Sequence, residues 1–415
     1  MLGRALLICT SLLVGATPAA AQKLRDQLGG LLTFGGWTVP LRVGTLSPDG
    51  RSVLPNDAFL LSASASNATL ATFLVNWMTG SASSAPVAST GGGRSFRFAG
   101  GVPVEARPSP GPIFGERATT LGRGAVLAGV NYTGVRYSRV RGVPLDALRF
   151  TFTQSAAAAA GADAIALDAS LDYDMALTTL YATAGVRDRL DVGVVLPLVQ
   201  SRLRGVSRAT VVAGGTTSST VIGGTAAAPI RTSEQAIGGR SSGIGDVALR
   251  AKLNLVDRPA GGFALLGDVR LPTGDADNLL GSGATAMRVL GVYSGTYGAI
   301  TPHADAGYLY FSDRSLNDAV LATAGLDADL VPWATVSLSV LGQFQAGASA
   351  YRLPAAQNGR SLANVPEIRD DALSASLGAK VAVRRARVVA NVLAPYTRGG
   401  PRPDLAYTFG VERTF

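Results

Sequence analysis

The chain has one cysteine, one histidine and three lysines in 415 residues. A lone cysteine excludes an internal disulfide and any thiolate-rich zinc site. A lone histidine, His303, excludes chemistry that needs two imidazoles and leaves it as the one possible base of a Ser-His-Asp arrangement. Charged residues make up only 16% of the chain and hydrophobic ones 47%, which excludes a disordered polypeptide. The scarcity of lysine and glutamate argues against a coiled coil or a solvated helical array. Long apolar runs are missing as well. Past residue 21 no uninterrupted stretch reaches 18 apolar residues, so no membrane-spanning helix is visible. Yet the mean hydropathy is +0.26. An apolar average without apolar runs is the profile of a membrane β-barrel, whose lipid-facing and lumen-facing residues alternate.

Residues 1–21 read as a secretory leader. Arg4 supplies the positive start, Ala5 to Val14 the apolar stretch, and Ala19-x-Ala21 a small-residue cleavage site. Cys9 leaves with the leader, so the exported chain is expected to begin near Gln22 with no cysteine. Loss of Arg4 takes the formal charge from +9 to +8. The arginines are scattered, with Arg384-Arg385 the one notable adjacent pair, which speaks against a nucleic-acid partner. An anionic lipid surface or a cation-rich lumen accounts for the charge.

From about Gly124 the sequence alternates, as a strand between lipid and a polar lumen must. Val247, Leu249, Ala251, Leu253 and Leu255 share one face, and Asp246, Arg250, Lys252 and Asn254 the other. Phe263, Leu265 and Val269 oppose Asp268 and Arg270. Val192, Val194, Leu196 and Leu198 share a face opposite Asp191, and Leu373, Leu377 and Val381 oppose Ser374, Ser376 and Lys380. Connections alternate too. Short turns at 187–189, 257–262, 297–298, 331–333 and 384–385 are separated by long polar connections at 207–242, 273–283, 312–319, 347–369 and 397–403. Outer-membrane barrels show this asymmetry of short periplasmic turns and long outer loops. Spans near 124–137, 168–186, 189–206, 243–256, 261–272, 284–297, 299–311, 320–331, 333–346, 370–384, 386–396 and 403–415 give an all-β, transmembrane, antiparallel up-and-down barrel of twelve strands, with fourteen as the alternative. Leu145–Gln154 is placed in the first outer loop. The last span carries Leu405, Tyr407, Phe409 and Val411 on one face, opposite Thr408 and Glu412, and ends on Phe415. A terminal aromatic of this kind resembles the signal read by the barrel-assembly machinery of Gram-negative bacteria.

Residues 22–123 do not alternate. Leu24, Leu28, Leu31 and Leu32 suggest a short amphipathic helix, and Asn67 could cap a second running through Met78 with Leu70, Phe73, Leu74 and Trp77 on it. The segment is read as a plug in the lumen, a lid at its mouth, or a leader outside the wall.

Four stretches resemble a known family: Gly111 to Gly124, Tyr181 to Pro197, Gly243-Ile-Gly-Asp-Val247, and Leu271-Pro272-Thr273-Gly274-Asp275. Together they look like exported proteins related to the meta-pathway phenol-degradation family, over about 111–345. The resemblance implies an outer-membrane barrel that transports hydrophobic or aromatic compounds.

Candidate chemistry is thin. His303 lies in a TPHADAGY stretch without a nucleophile motif beside it, and is read as a lumen or rim residue. Asp275, Asp277 and Asn278 could offer oxygens to calcium, but an ordinary polar turn explains them better. No metal or other cofactor is expected, and no enzymatic activity. If the faces are assigned correctly, Asp191, Asp246, Arg250, Lys252, Asp268, Arg270, Lys380 and Glu412 point inward. Facing lipid at mid-depth, each arginine or lysine would cost about 2–4 kcal/mol. The expected function is passive passage of a small, hydrophobic or aromatic, solute across the outer membrane. The alternatives are a structural or adhesive barrel acting through its outer loops, and, behind it, a barrel hydrolase using His303.

Overall fold

The computed structural model describes residues 23–32, 44–55, 69–81, 96–99, 102–105, 115–153, 163–216, 218–258, 261–355, 362–400 and 403–415. The expected leader and its cleavage site, and Asn67, lie outside them.

Twelve strands close on themselves by antiparallel pairing of sequence neighbours. They are β1 (Val126–Tyr137), β2 (Ala164–Arg187), β3 (Leu190–Val212), β4 (Ala248–Arg258), β5 (Gly261–Arg270), β6 (Ala286–Ser294), β7 (Ile300–Phe311), β8 (Ala319–Val331), β9 (Ala334–Gln345), β10 (Ala372–Val383), β11 (Ala386–Pro395) and β12 (Leu405–Thr414). β12 pairs with β1, with Phe409 opposite Tyr132 and Thr414 opposite Leu127, and this seam closes the cylinder. The Phe415 amide donates to the Val126 carbonyl at 2.8 Å. Closure leaves no open edge within the cylinder, and that is what allows a sheet to cross lipid.

The alternation sorts as the sequence requires. Val192, Val194, Leu198, Leu249, Leu253, Phe263, Leu265, Leu338, Val340, Leu377, Tyr407, Phe409 and Val411 are exposed on the outside. Thr335, Ser337, Ser339, Ser376, Thr408 and Glu412, one residue out of phase with their neighbours, are buried inside. The result is a bilayer-spanning barrel with a wet lining and an apolar coat.

Two segments add to the wall without adding to the ring. Leu148–Thr153 pairs with the far half of β2, and Thr232–Ile244 with the far half of β3. The expected long loop 207–242 is therefore corrected: β3 runs to Val212, Thr232–Ile244 returns along it, and only 213–231 connects them. Strict alternation stops in this Gly/Ser/Thr-rich stretch because the extension stands beyond the apolar belt, so its outer face no longer needs to be greasy. Thr232–Ile244 and β4 are one strand interrupted at Gly245–Val247. Leu198 pairs with Ile244 but Val195 with Ala248, a one-residue slip that marks a bulge.

Two helices fill the far end. α1 (Leu24–Leu31) forms where the leucine spacing predicts it, and residues 69–81 form a second helix, α2. Leu28, Leu31, Leu70, Phe73, Leu74, Trp77 and Met78 are buried in one cluster with inward-facing Tyr173, Met175, Leu177, Leu203 and Phe311. Trp77 meets Tyr137 edge-on at 5.8 Å, and Tyr137 stacks on Tyr173 at 5.2 Å.

Candidate functional site

The lumen is graded. Toward the long-loop end its lining is Tyr137, Tyr173, Met175, Leu177, Leu203, Leu309, Phe311 and Leu393, covered by the helices. Toward the short-turn end it is charged, and there residues 115–121 lie against the wall from inside.

That segment is clamped residue by residue. Glu116 accepts from Arg250 at 3.0 Å, and Arg250 lies 3.6 Å from Asp268. Asp268 in turn pairs with Arg288, which faces it across β5 and β6. Arg117 reaches Asp327 at 2.8 Å. The Ala118 amide donates to Ser294 at 3.0 Å, and Asn254 donates to the Ala118 carbonyl at 2.8 Å. Both Asp191 carboxylate oxygens accept from the Leu121 amide at 3.1 Å, with Lys252 3.8 Å away. Inside an apolar coat, buried charges persist only when paired, and a backbone strand crossing the lumen needs partners for its own amides. The wall charges and the segment satisfy each other.

The sequence-derived lumen residues separate into three groups. Asp191, Arg250, Lys252 and Asp268 are buried around the segment. Lys380 and Glu412 form a second buried pair at 3.3 Å, and Glu412 also accepts from Tyr181 at 3.0 Å. Asp246 and Arg270 are half-buried, Asp246 before β4 and Arg270 at the end of β5, where it lies in the field of Asp268, Arg288, Arg250 and Asp246. Asp246 sits in the bulge and accepts from the Gly274 amide at 3.1 Å and the Ser282 amide at 2.7 Å. Thr273 bridges the same bulge, donating to the Gly245 carbonyl at 2.7 Å and accepting from the Val247 amide at 2.9 Å. The stretches 243–247 and 271–275 thus form one joint, which explains the bulge between them. Leu271 and Pro272 lead the chain out of β5, and Asp275 caps the turn 276–278. Asp277 is engaged by Lys23 and Arg25. Phe415 points outward, its ring under the Arg413 guanidinium at 4.6 Å.

Sequence reasoning missed Glu116, Arg117, Arg288 and Asp327. The last two were legible as inward positions of alternating strands. The first two lie in a stretch with no periodicity, and only their contacts reveal them. It also missed the buried Arg141–Asp370 pair, 2.8 Å apart, which ties outer connections together under Phe73.

His303 comes together with two groups of the hydrolase alternative. Its Nε2 is 3.3 Å from Ser339 Oγ, and its Nδ1 is 3.6 Å from Asp327, too far for a hydrogen bond. Gly325 stands between His303 and Ser339 in register and lets the imidazole lie across the sheet, because a Cβ there would strike the ring. Gly115 covers the other face, and Arg117 occupies the Asp327 carboxylate. The side chains of His303, Asp327 and Ser339 are all buried, and the Asp327 carboxylate is engaged by Arg117 rather than by the imidazole.

No protein-family model matches the chain, and no curated protein matches it. Among solved structures, the COG4313 outer membrane channel from Pseudomonas putida F1 is 15% identical with a TM-score of 0.43, over 71% of this chain and 97% of that one. The translocator domain of the autotransporter NalP from Neisseria meningitidis is 10% identical at a TM-score of 0.36, over 71% and 89%. A Pseudomonas aeruginosa FadL homologue is 10% identical at 0.32, over 72% and 91%. None of these likenesses is close enough to assign this chain a solute.

Proposed function

We propose that the chain is an outer-membrane channel for a small hydrophobic or aromatic solute, held shut by its own segment before β1. The single observation that supports this most is the lumen lining. A barrel serving only as a scaffold could fill its interior with side chains, as an eight-stranded one does. Here twelve strands leave room that an independent stretch of chain occupies, apolar against the outer half and charged against the inner. A solute that displaced the helices would meet Tyr173, Met175, Leu177 and Phe311. The resemblance to the phenol-degradation family points to the same class of cargo. Acting as a plug, the segment would move while the wall stays fixed. Phe415 would be read by the barrel-assembly machinery, and outer-membrane lipid would be the remaining partner.

Conductance of purified protein in planar bilayers tests the plug. The double variant Glu116→Gln, Arg117→Gln removes two of its ionic anchors and should raise the open fraction at least several-fold over the parent. A variant as silent as the parent, with its wall intact, would reject the reading. The adhesive alternative draws on the four-stranded extension. It predicts that removing 213–231 abolishes surface binding without changing conductance.

A further inference from the structure

The outer face of the wall carries a charge pattern that neither the channel nor its plug uses. Beyond the apolar belt, rows of side chains run across neighbouring strands in register. Far out, Arg149, Asp168, Arg208 and Glu234 stand opposite one another in turn, alternating in sign across four strands. That is how a sheet arranges exposed charges, since like charges directly opposite repel. Nearer the belt the order breaks. The row there is Leu405, Arg136, Asp174, Arg202, Arg240. Arg202 and Arg240 face each other directly, and Arg204 follows two residues on in β3. Arg136 pairs with Asp172 at 3.2 Å and lies 3.7 Å from Asp174. Arg202, Arg204 and Arg240 have no carboxylate partner among the described residues, and Arg202 Nε is buried without a hydrogen bond.

These side chains border a groove of about 830 Å³ on the outside of the wall. Its floor is made of small residues, Gly134 and Ala176. Gly134 has no Cβ because the Tyr407 ring lies there. Tyr132 and Tyr407, 6.3 Å apart, form its lower lip. The next row down, Phe409, Tyr132, Thr178, Leu198 and Ile244, belongs to the apolar belt. The groove therefore sits where acyl chains give way to headgroups, with aromatic rings at the boundary as such barrels use them. Gln200 and Ser242 add hydrogen-bonding groups between the tyrosines and the arginines.

We propose that this groove binds the phosphorylated headgroup of an outer-leaflet glycolipid. A phosphate between Arg202 and Arg240 turns their repulsion into two charge-assisted contacts and supplies the acceptor that Arg202 Nε lacks. The sugar hydroxyls fall to Gln200, Ser242 and Asp174, and an acyl chain follows Leu198 and Tyr407 into the belt. The proposal rests on the long-loop end being the outer one. It does not depend on the lumen opening.

Native mass spectrometry of the full chain in detergent, with diphosphoryl lipid A, its dephosphorylated form and phosphatidylethanolamine as probes, tests it. Diphosphoryl lipid A should stay bound at least tenfold more than either other probe. The pair Arg202→Gln, Arg240→Gln should lose that preference, while Arg202→Lys, Arg240→Lys keeps part of it. Retention of the barrel's compact migration on SDS gels shows that the variant is folded, and if the pair does not fold, the exposed Arg240→Gln alone should still lower binding several-fold. Equal retention by parent and variant overturns the proposal. So does full displacement by millimolar inorganic phosphate, which would make the groove a site for the free ion.

Discussion

At the scale of single residues, the tightest constraint is where the clamped segment turns into the wall. Gly185 on β2 packs directly on the Gly122 carbonyl, and the Gly124 amide donates to the Gly185 carbonyl at 2.8 Å. A Cβ at 185 would overlap backbone, which cannot swing aside. Gly185→Ala should therefore loosen residues 115–124 and raise channel openings in bilayers, although it touches no charge. A second residue works at the far tip. Burial pushes the Asp163 carboxyl up, but the Ser218 and Thr220 hydroxyls and the Gly214 and Thr220 amides outweigh it and hold it below 3.8. A depressed carboxylate stabilises the fold above its unfolded value, and that contribution fades as pH falls through the lower one. Acid below about pH 4 should release 214–220 from the start of β2, read as faster amide exchange at Gly214 and Thr220. In Asp163→Asn that acid step should be absent. The charges of the wall were legible from alternation alone, because lipid enforces it. Glu116 and Arg117 were not, since nothing periodic governs a strand of chain whose partners lie more than a hundred residues away.

At the scale of elements, the two helices were visible as apolar spacing but their destination was not. Leucine spacing tells that a helix has a greasy face. It does not tell whether that face meets a lumen, a mouth or another chain. In the structure that face packs against inward-facing Tyr137, Tyr173 and Met175. Trp77→Ala should cost about 3–5 kcal/mol where the helix is anchored. It should also leave an apolar void able to take up a small aromatic molecule, as dry cavities do. Isothermal titration with toluene checks this: an added binding event in the variant, beyond any heat the parent gives, is the expected result. The strand spans were legible nearly to the residue wherever both faces were constrained. They failed at 207–242, where neither lipid nor a packed lumen dictates the outer side chain.

At the scale of the whole molecule, closure explains stability without an internal disulfide or a conventional solid core. Every strand is paired on both sides within the ring, and unfolding must break the cylinder as a unit. The purified protein should resist SDS at room temperature, migrate faster than its boiled form, and shift only on heating. Immediate unfolding in cold SDS would contradict the seam between β1 and β12. The location of α1 carries one more consequence. Residues 23–32 lie at the long-loop end, yet residues 115–124 lie at the short-turn end, with the seam zipped around them. Laying down the interior cargo of polypeptide first and fastening the hoop afterwards is the schedule that spares the chain from threading a closed cylinder. A bulky, rapidly folding tag ahead of Lys23 would jam that order, whereas the same tag grafted into 213–231 would ride along harmlessly.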